Sequence, residues 1–188
     1  MAQADKERWD KKHAKDMMPK TPIPLLTNHI HLAHIGKALD IACGNGRHSK
    51  YLVSKGFEVD ALDISSVAIE ALKDEAHIEA KEVDFESYAL KKESYDLIIV
   101  SYYLERKLFS QMIEALKPNG ILIMETFVQD KQNERTPSNP SFRLKENELQ
   151  DYFEKKLHII HLEEWWDKDY QGFKTRKASM VAQKEANS

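Results

Sequence analysis

The stretch over residues 37–63 constrains this chain most, because an apolar run containing an acid (ALDIA, 38–42) meets a glycine turn (CGNG, 43–46) and then a second acid-tipped run. It reads as a strand, a nucleotide-cradling loop, a helix and a second strand. Gly44 and Gly46 can take backbone angles closed to other residues and let the main chain approach a ligand. Asp63 follows Gly46 by 17 residues, where a carboxylate would meet the ribose of an adenosine-containing cofactor.

The rest of the chain repeats that rhythm. Apolar runs alternate with helical patterns at roughly 20 to 30 residue intervals, which argues for a parallel sheet with crossover helices. Residues 2–16 read as a charged helix anchored by Trp9, the prolines at 19, 22 and 24 break it into an extended connector, and 27–34 form a short helix. Strands are expected at 37–42, 57–62, 81–84, 95–100 and 121–127, with helices near 47–55, 66–79 and 108–116 between them. KPNG (117–120) turns the chain into the fifth strand. YDLIIV (95–100) is apolar throughout, as a strand buried on both sheet faces must be. A polar loop, 129–144, leads to a helix carrying Leu149, Tyr152 and Phe153, and two strand-like runs, 157–166 and 173–183, close the chain as a hairpin.

With 188 residues and 41% hydrophobic content, one domain with its own core accounts for the whole chain, 1–35 forming a helical cap and 129–144 a substrate-side loop. A net charge of -3 and a pI near 6.3 supply no general attraction for nucleic acid. One cysteine cannot form an internal disulfide, and no apolar run approaches the roughly 20 residues of a membrane span, so a soluble cytoplasmic protein is expected.

ALDIACGNGRHSKYL, VDALDIS, VDF, YDLIIVSYYLER and LKPNGILIMETF, in that order over 37–127, resemble the motif series of class I S-adenosylmethionine-dependent methyltransferases. The tail, NPSFRLKENELQDYF before a strand pair, is similar to the small bacterial branch holding the tellurite-resistance and thiopurine-type enzymes. The resemblance implies an α/β, Rossmann-like, seven-stranded and mostly parallel sheet of order 3-2-1-4-5-7-6, with helices on both faces and an antiparallel C-terminal strand pair. S-adenosylmethionine would be the cofactor and S-adenosylhomocysteine the product.

The same resemblance assigns parts of the cofactor to residues. Asp40 would draw the ammonium, backbone around Ala42, Gly44 and Gly46 would lie beside the methionine portion, and Asp63 would accept from both ribose hydroxyls. Asp84 would accept from the adenine amino group between Phe85 and Ile64, while Ser101 and Tyr102 face the methyl; Trp9 and Arg47 complete this set. Ala42 stands where the family's first glycine is usual, which suits a negative φ.

Methyl transfer from a sulfonium is dominated by positioning, so the acceptor side carries no obligatory signature. Acceptor-side candidates are Trp9, His13 and Met17 from an N-terminal lid, Tyr102, Tyr103 and Arg106 after the fourth strand, and Arg143 in the long loop. Tyr102, Arg106 and Arg143 are the catalytic set. Each has a plainer alternative: Trp9 anchoring its helix, Tyr103 packing, Arg106 bridging to Glu105 or Glu70, Arg143 solvated. Trp165 and Trp166 must point to opposite faces of a regular strand. Asp40, Asp63 and Asp84 could instead be strand-end or capping acids. Cys43 lacks a spaced His and acid partner, and His29, His31, His34, His158 and His161 lack a companion ligand cluster, so no nucleophile and no metal are assigned.

The favoured function is methyl transfer to a small acceptor: a thiol, a metalloid oxyanion or a compact metabolite. SYYL after the fourth strand lacks the Asn/Asp-Pro-Pro-aromatic tetrad that holds a planar amine, which disfavours nucleic acid; protein or RNA methylation stands as an alternative. A nicotinamide-dependent oxidoreductase would need Ser49 at the third glycine position of GNGRHS, against which the acid in the first strand argues. A silent adenosine-binding protein is the third class. No membrane partner is expected, and the chain would be a monomer or homodimer.

Overall fold

Strands buried on both faces need helices to return the chain to the same edge, and the computed structural model, which describes residues 2–15, 18–169 and 171–186, builds that arrangement. β1 (Lys37–Ile41), β2 (Glu58–Asp63), β3 (Ile78–Glu82), β4 (Tyr95–Ser101) and β5 (Leu116–Phe127) run parallel. β7 (Lys174–Gln183) lies antiparallel between β5 and β6 (His158–Lys168), giving the order β3-β2-β1-β4-β5-β7-β6. The helices are α1 (Ala2–Ala14), α2 (Pro24–His29), α3 (Arg47–Ser54), α4 (Ser66–Glu70), α5 (Leu108–Ala115) and α6 (Glu148–Phe153). None among the described residues is long and apolar enough to cross a membrane.

Side chains alternate between two cores. On one face Leu39, Ile98, Leu122 and Met124 meet Phe109 and Met112 of α5 and Phe153 of α6. On the other, Ala38, Leu97, Ile99 and Ile123 meet Leu25 and Leu26 of α2 and Leu52 of α3. Each of the large apolar side chains that is fully buried contributes about 1.5–3 kcal/mol by leaving water.

Four elements differ most from the sequence expectation. Pro24 opens α2 rather than preceding it, since the first helical position has no use for the missing N–H. β3 begins three residues early and α4 stops after one turn and a half, because IEAKE is a polar edge strand and the segment after Glu70 lacks the apolar stripe a longer helix requires. KPNG stands out of the ladder as a bulge inside β5, whose pairing jumps from Tyr95–Leu116 to Leu97–Ile121.

Candidate active site

A cleft of about 1170 Å³ opens over the carboxyl ends of the strands, where the strand order reverses between β1 and β4. α1 and the loop over 135–142 wall it, and the face of β5, β7 and β6 that carries no crossover helix floors one side.

At the glycine loop, both oxygens of Asp63 accept backbone N–H bonds, Oδ2 from Gly44 and Oδ1 from Ser65, each at 2.8 Å. A carboxylate offers about four lone-pair directions, so capacity toward the cleft is left for a diol. Gly44 has a φ of +54°, and a Cβ there would stand 3.1 Å from Cε1 of His13, whose buried Nδ1 has no hydrogen-bond partner among the described residues. An acid aimed at a cradle without side chains, beneath an unpartnered imidazole nitrogen, fits the ribose and amino-acid portions of S-adenosylmethionine.

Two members of the loop set do other work. Gly46 is buried and does not line the cleft; its φ is +75° and a Cβ would fall 2.5 Å from Cδ2 of Leu72, so it is glycine to seat α3 against that side chain. Ala42 lines the cleft but with φ +55°, contrary to the expected negative angle, a left-handed conformation that costs an L-residue about 1–2 kcal/mol.

Asp40 is likewise withdrawn. It is 1% exposed, lies behind the loop and accepts the Ser49 hydroxyl at 2.6 Å, so it ties β1 to α3 instead of reaching the cleft. Burial raises its carboxyl to about 7, partly opposed by the bonds from Ser49. His48, 4.0 Å away, accepts the Ile23 N–H and is pushed down to about 3 by burial and by Arg47, so the two form no ion pair at neutral pH. Burial raises the Cys43 thiol well above its ordinary range, in keeping with a packing role.

Ile64, Asp84 and Phe85, the residues expected around the adenine, line the cleft together. Asp84 lies two residues beyond β3 and its Oδ1 accepts the Glu86 N–H at 2.9 Å, the turn-capping bond of the plainer alternative. Phe85 is 5% exposed, with its ring 5.4 Å from that of Tyr103. Trp9 and His13 reach the cleft from α1, and Lys12 lies 4.4 Å over the Trp9 ring. Met17 lies outside the described residues. Arg47 lines the cleft while donating to the Thr21 carbonyl at 3.2 Å.

The acceptor side departs most from expectation. Arg106 does not line the cleft: it forks onto Glu148 at 2.6 and 2.8 Å and donates to the Ser141 and Arg143 carbonyls, stapling the long loop to α6. Arg143 is tucked under that loop against Thr136, and Arg135 is the arginine that faces in. Tyr102 and Ser101 do line it, Tyr102 in the left-handed region at φ +55°. Ser101 opens a row whose other members were not anticipated: Glu125, Ser179 and Glu163 are its successive register partners across β5, β7 and β6, and the next row runs Phe127, Lys177, Trp165. The signal was available, since Glu125 is the one acid in the apolar run ILIMETF and Lys177 heads the buried run that continues through Ala182. Trp165 faces the cleft, while Trp166 is 39% exposed with Lys174 over its ring.

Comparison with known proteins places this geometry. Residues 9–175 match the family model described as tellurite resistance protein TehB. The probable S-adenosyl-L-methionine-dependent methyltransferase TehB of Haemophilus influenzae is 26% identical over 164 residues, 79% of this chain and 57% of that protein. The ubiquinone biosynthesis O-methyltransferase of Rickettsia typhi is 30% identical over 103 residues, 50% of this chain and 42% of that one. The chain thus spans about half the length of these relatives. The crystal structure of Haemophilus influenzae TehB superposes with a TM-score of 0.76 at 23% identity, covering 94% of this chain and 67% of the other.

Proposed function

The chain belongs to the tellurite resistance protein TehB family, and on that premise we propose that it transfers a methyl group from S-adenosylmethionine to a small acceptor: a thiol, a metalloid oxyanion or a compact metabolite. The observation that carries this reading is a single cleft with two ends, the Gly44–Asp63 cradle under His13 at one and the open polar floor of β5, β7 and β6 at the other. S-adenosylmethionine supplies an activated methyl on a sulfonium. What remains for the chain is to hold the two partners together, and orientation alone can contribute about 7–11 kcal/mol.

Asp63, backbone at Ala42 and Gly44, and Ile64, Asp84 and Phe85 would hold the nucleoside and methionine parts, with Ser101 and Tyr102 next to the methyl. The nicotinamide alternative is weakened by Ser49: the hydroxyl it would present to a diphosphate is fully buried and donated to Asp40, a carboxyl behind the loop. Titration calorimetry separates these readings. Low-micromolar or tighter binding of S-adenosylhomocysteine, with none of NADH, is expected, and Asp63→Ala should abolish it; the reverse ligand preference would sink the proposal. Labelled S-adenosylmethionine in a metabolite extract should then mark a small molecule, and label found only on macromolecules would refute the acceptor class.

A further inference from the structure

The unanticipated acid on the cleft floor bears on what kind of acceptor fits. Ser101 ends β4 beside the expected methyl position, and Glu125 is its register partner on β5, one strand spacing of about 4.8 Å away. Glu125 is 6% exposed, and its Oε1 accepts the Tyr102 hydroxyl at 2.6 Å. Among the described residues no donor is bonded to Oε2. Tyr102 cannot be a base itself, because burial and Glu125 hold its phenol protonated far above the ordinary range. Its strained backbone is over-determined instead: the Tyr102 N–H donates to the Glu125 carbonyl at 2.8 Å, and its ring packs 5.1 Å from Phe127. Two bonds from one residue therefore fix where the Glu125 side chain points.

We propose that Glu125, oriented by Tyr102, is the proton acceptor for a small neutral molecule presenting a thiol or hydroxyl on the open face of β5, β7 and β6. The inference rests on the methyltransferase reading. Glu125 Oε2 takes the proton of the S–H or O–H group; the electron pair so freed forms the bond to the methyl carbon, and the carbon–sulfur bond of the donor breaks to leave a neutral thioether. The surroundings suit a neutral acceptor better than an oxyanion. Glu125, Glu163 and Asp167 are all on the floor, and the charge of Lys177, which reaches in from β7, is taken up by Asp167 at 2.8 Å. Arg47 approaches from α3, and His161, bonded to Ser179 at 2.9 Å and facing His29 of α2, stands one row further in, opposite Val181. Burial raises the Glu125 carboxyl, with Tyr102, Lys177 and Arg47 pulling it back and Asp167 pushing it up, so it is a stronger base than a solvated glutamate.

The test compares Glu125→Gln and Tyr102→Phe with the parent protein, using 2-mercaptoethanol, catechol and selenite as acceptors. Methyl transfer to the thiol or the catechol is expected. Glu125→Gln should lower kcat about 100- to 10,000-fold and erase the rise of kcat with pH, while S-adenosylhomocysteine binding is unchanged. Tyr102→Phe removes a bond that favours the carboxylate and should move that rise to higher pH. Without any acceptor, infrared titration should show a protonated-carboxyl band that Glu125→Gln lacks. Unchanged kinetics in Glu125→Gln, absence of the band, or transfer to selenite alone or to none of the three with S-adenosylhomocysteine bound would overturn the inference. Failure to bind S-adenosylhomocysteine would instead count against the methyltransferase reading.

Discussion

Asp40 shows at the scale of one residue why a motif does not specify a contact. Its identity and place in β1 were legible in the sequence, but its direction was not, since the Ser49 hydroxyl that captures it lies nine residues on, across the strand–helix turn. Its titration matters to stability. A carboxyl at about 7 when folded and near 3.8 when unfolded keeps its proton in the folded state across that window, so its contribution falls as pH rises from 4 to 7. His48 runs the other way: unfolded it binds a proton below about 6.5, folded it stays neutral down to about 3, so its contribution rises with pH over most of the same range. The two slopes offset one another in the parent protein. Asp40→Asn keeps the shape and removes one slope, so its stability relative to the parent should climb by up to about 1.4 kcal/mol per pH unit between 4 and 7. Urea denaturation at a series of pH values measures this, and a constant difference would show that Asp40 is ionised in the folded protein. Glu125 escaped sequence reading for a related reason: one acid in an apolar strand gains meaning only when β7 and β6 bring Ser179, Lys177 and Asp167 alongside.

Among the elements, β1, β2 and β4 were readable because two-sided burial leaves few polar positions between their ends. The limits of short or polar elements were not: β3 and α4 owe theirs to tertiary contacts that periodicity does not encode. α1 was legible as a charged helix over 2–16 and runs Ala2–Ala14, but its docking was not legible. Asp10 accepts the Ser65 hydroxyl at 2.6 Å, the Ser66 hydroxyl at 3.4 Å and the Val67 N–H at 3.3 Å, adding a second acceptor to the first turn of α4. Lys6 bridges to Glu82 at 2.8 Å on β3. Through these bonds α1 holds Trp9 and His13 over the glycine loop, and we propose that it serves as a lid. Asp10→Ala should cost about 1–2 kcal/mol of stability through the lost cap and weaken S-adenosylhomocysteine binding about tenfold, with amide exchange rising over 2–15. Loss of stability with unchanged affinity would make α1 a brace and not a lid. Arg106 illustrates the converse, a residue read as acceptor-facing whose fork closes the loop onto α6.

The molecule as a whole divides along the line between β4 and β5. The half built on β3, β2, β1 and β4 carries the cradle, whereas the β6–β7 hairpin returns the chain without a crossover helix and so leaves the carboxyl-end part of one sheet face uncovered beside it. That asymmetry comes from connectivity: a hairpin needs only a short turn, and α2, which packs over Ile123 and Val181, leaves the row of Glu125, Ser179 and Glu163 open to the cleft. Family resemblance supplied the strand order in advance; the open floor follows from it, but the side chains on that floor required the register. If the halves have separate ligands, they should respond to them separately. Bound S-adenosylhomocysteine at about one hundred times its Kd should stabilise the fold by about 2.7 kcal/mol. Hydrogen exchange should slow over 42–47, 63–65 and 84–86 and in α1, and stay unchanged over 158–168 and 174–183. Adding the methyl acceptor to that complex should then slow exchange in the hairpin and around Glu125, because there the floor lies open to the cleft. Protection of the hairpin by S-adenosylhomocysteine alone would mean that the cofactor spreads across the floor, and the acceptor would have to enter between α1 and the loop over 135–142 instead.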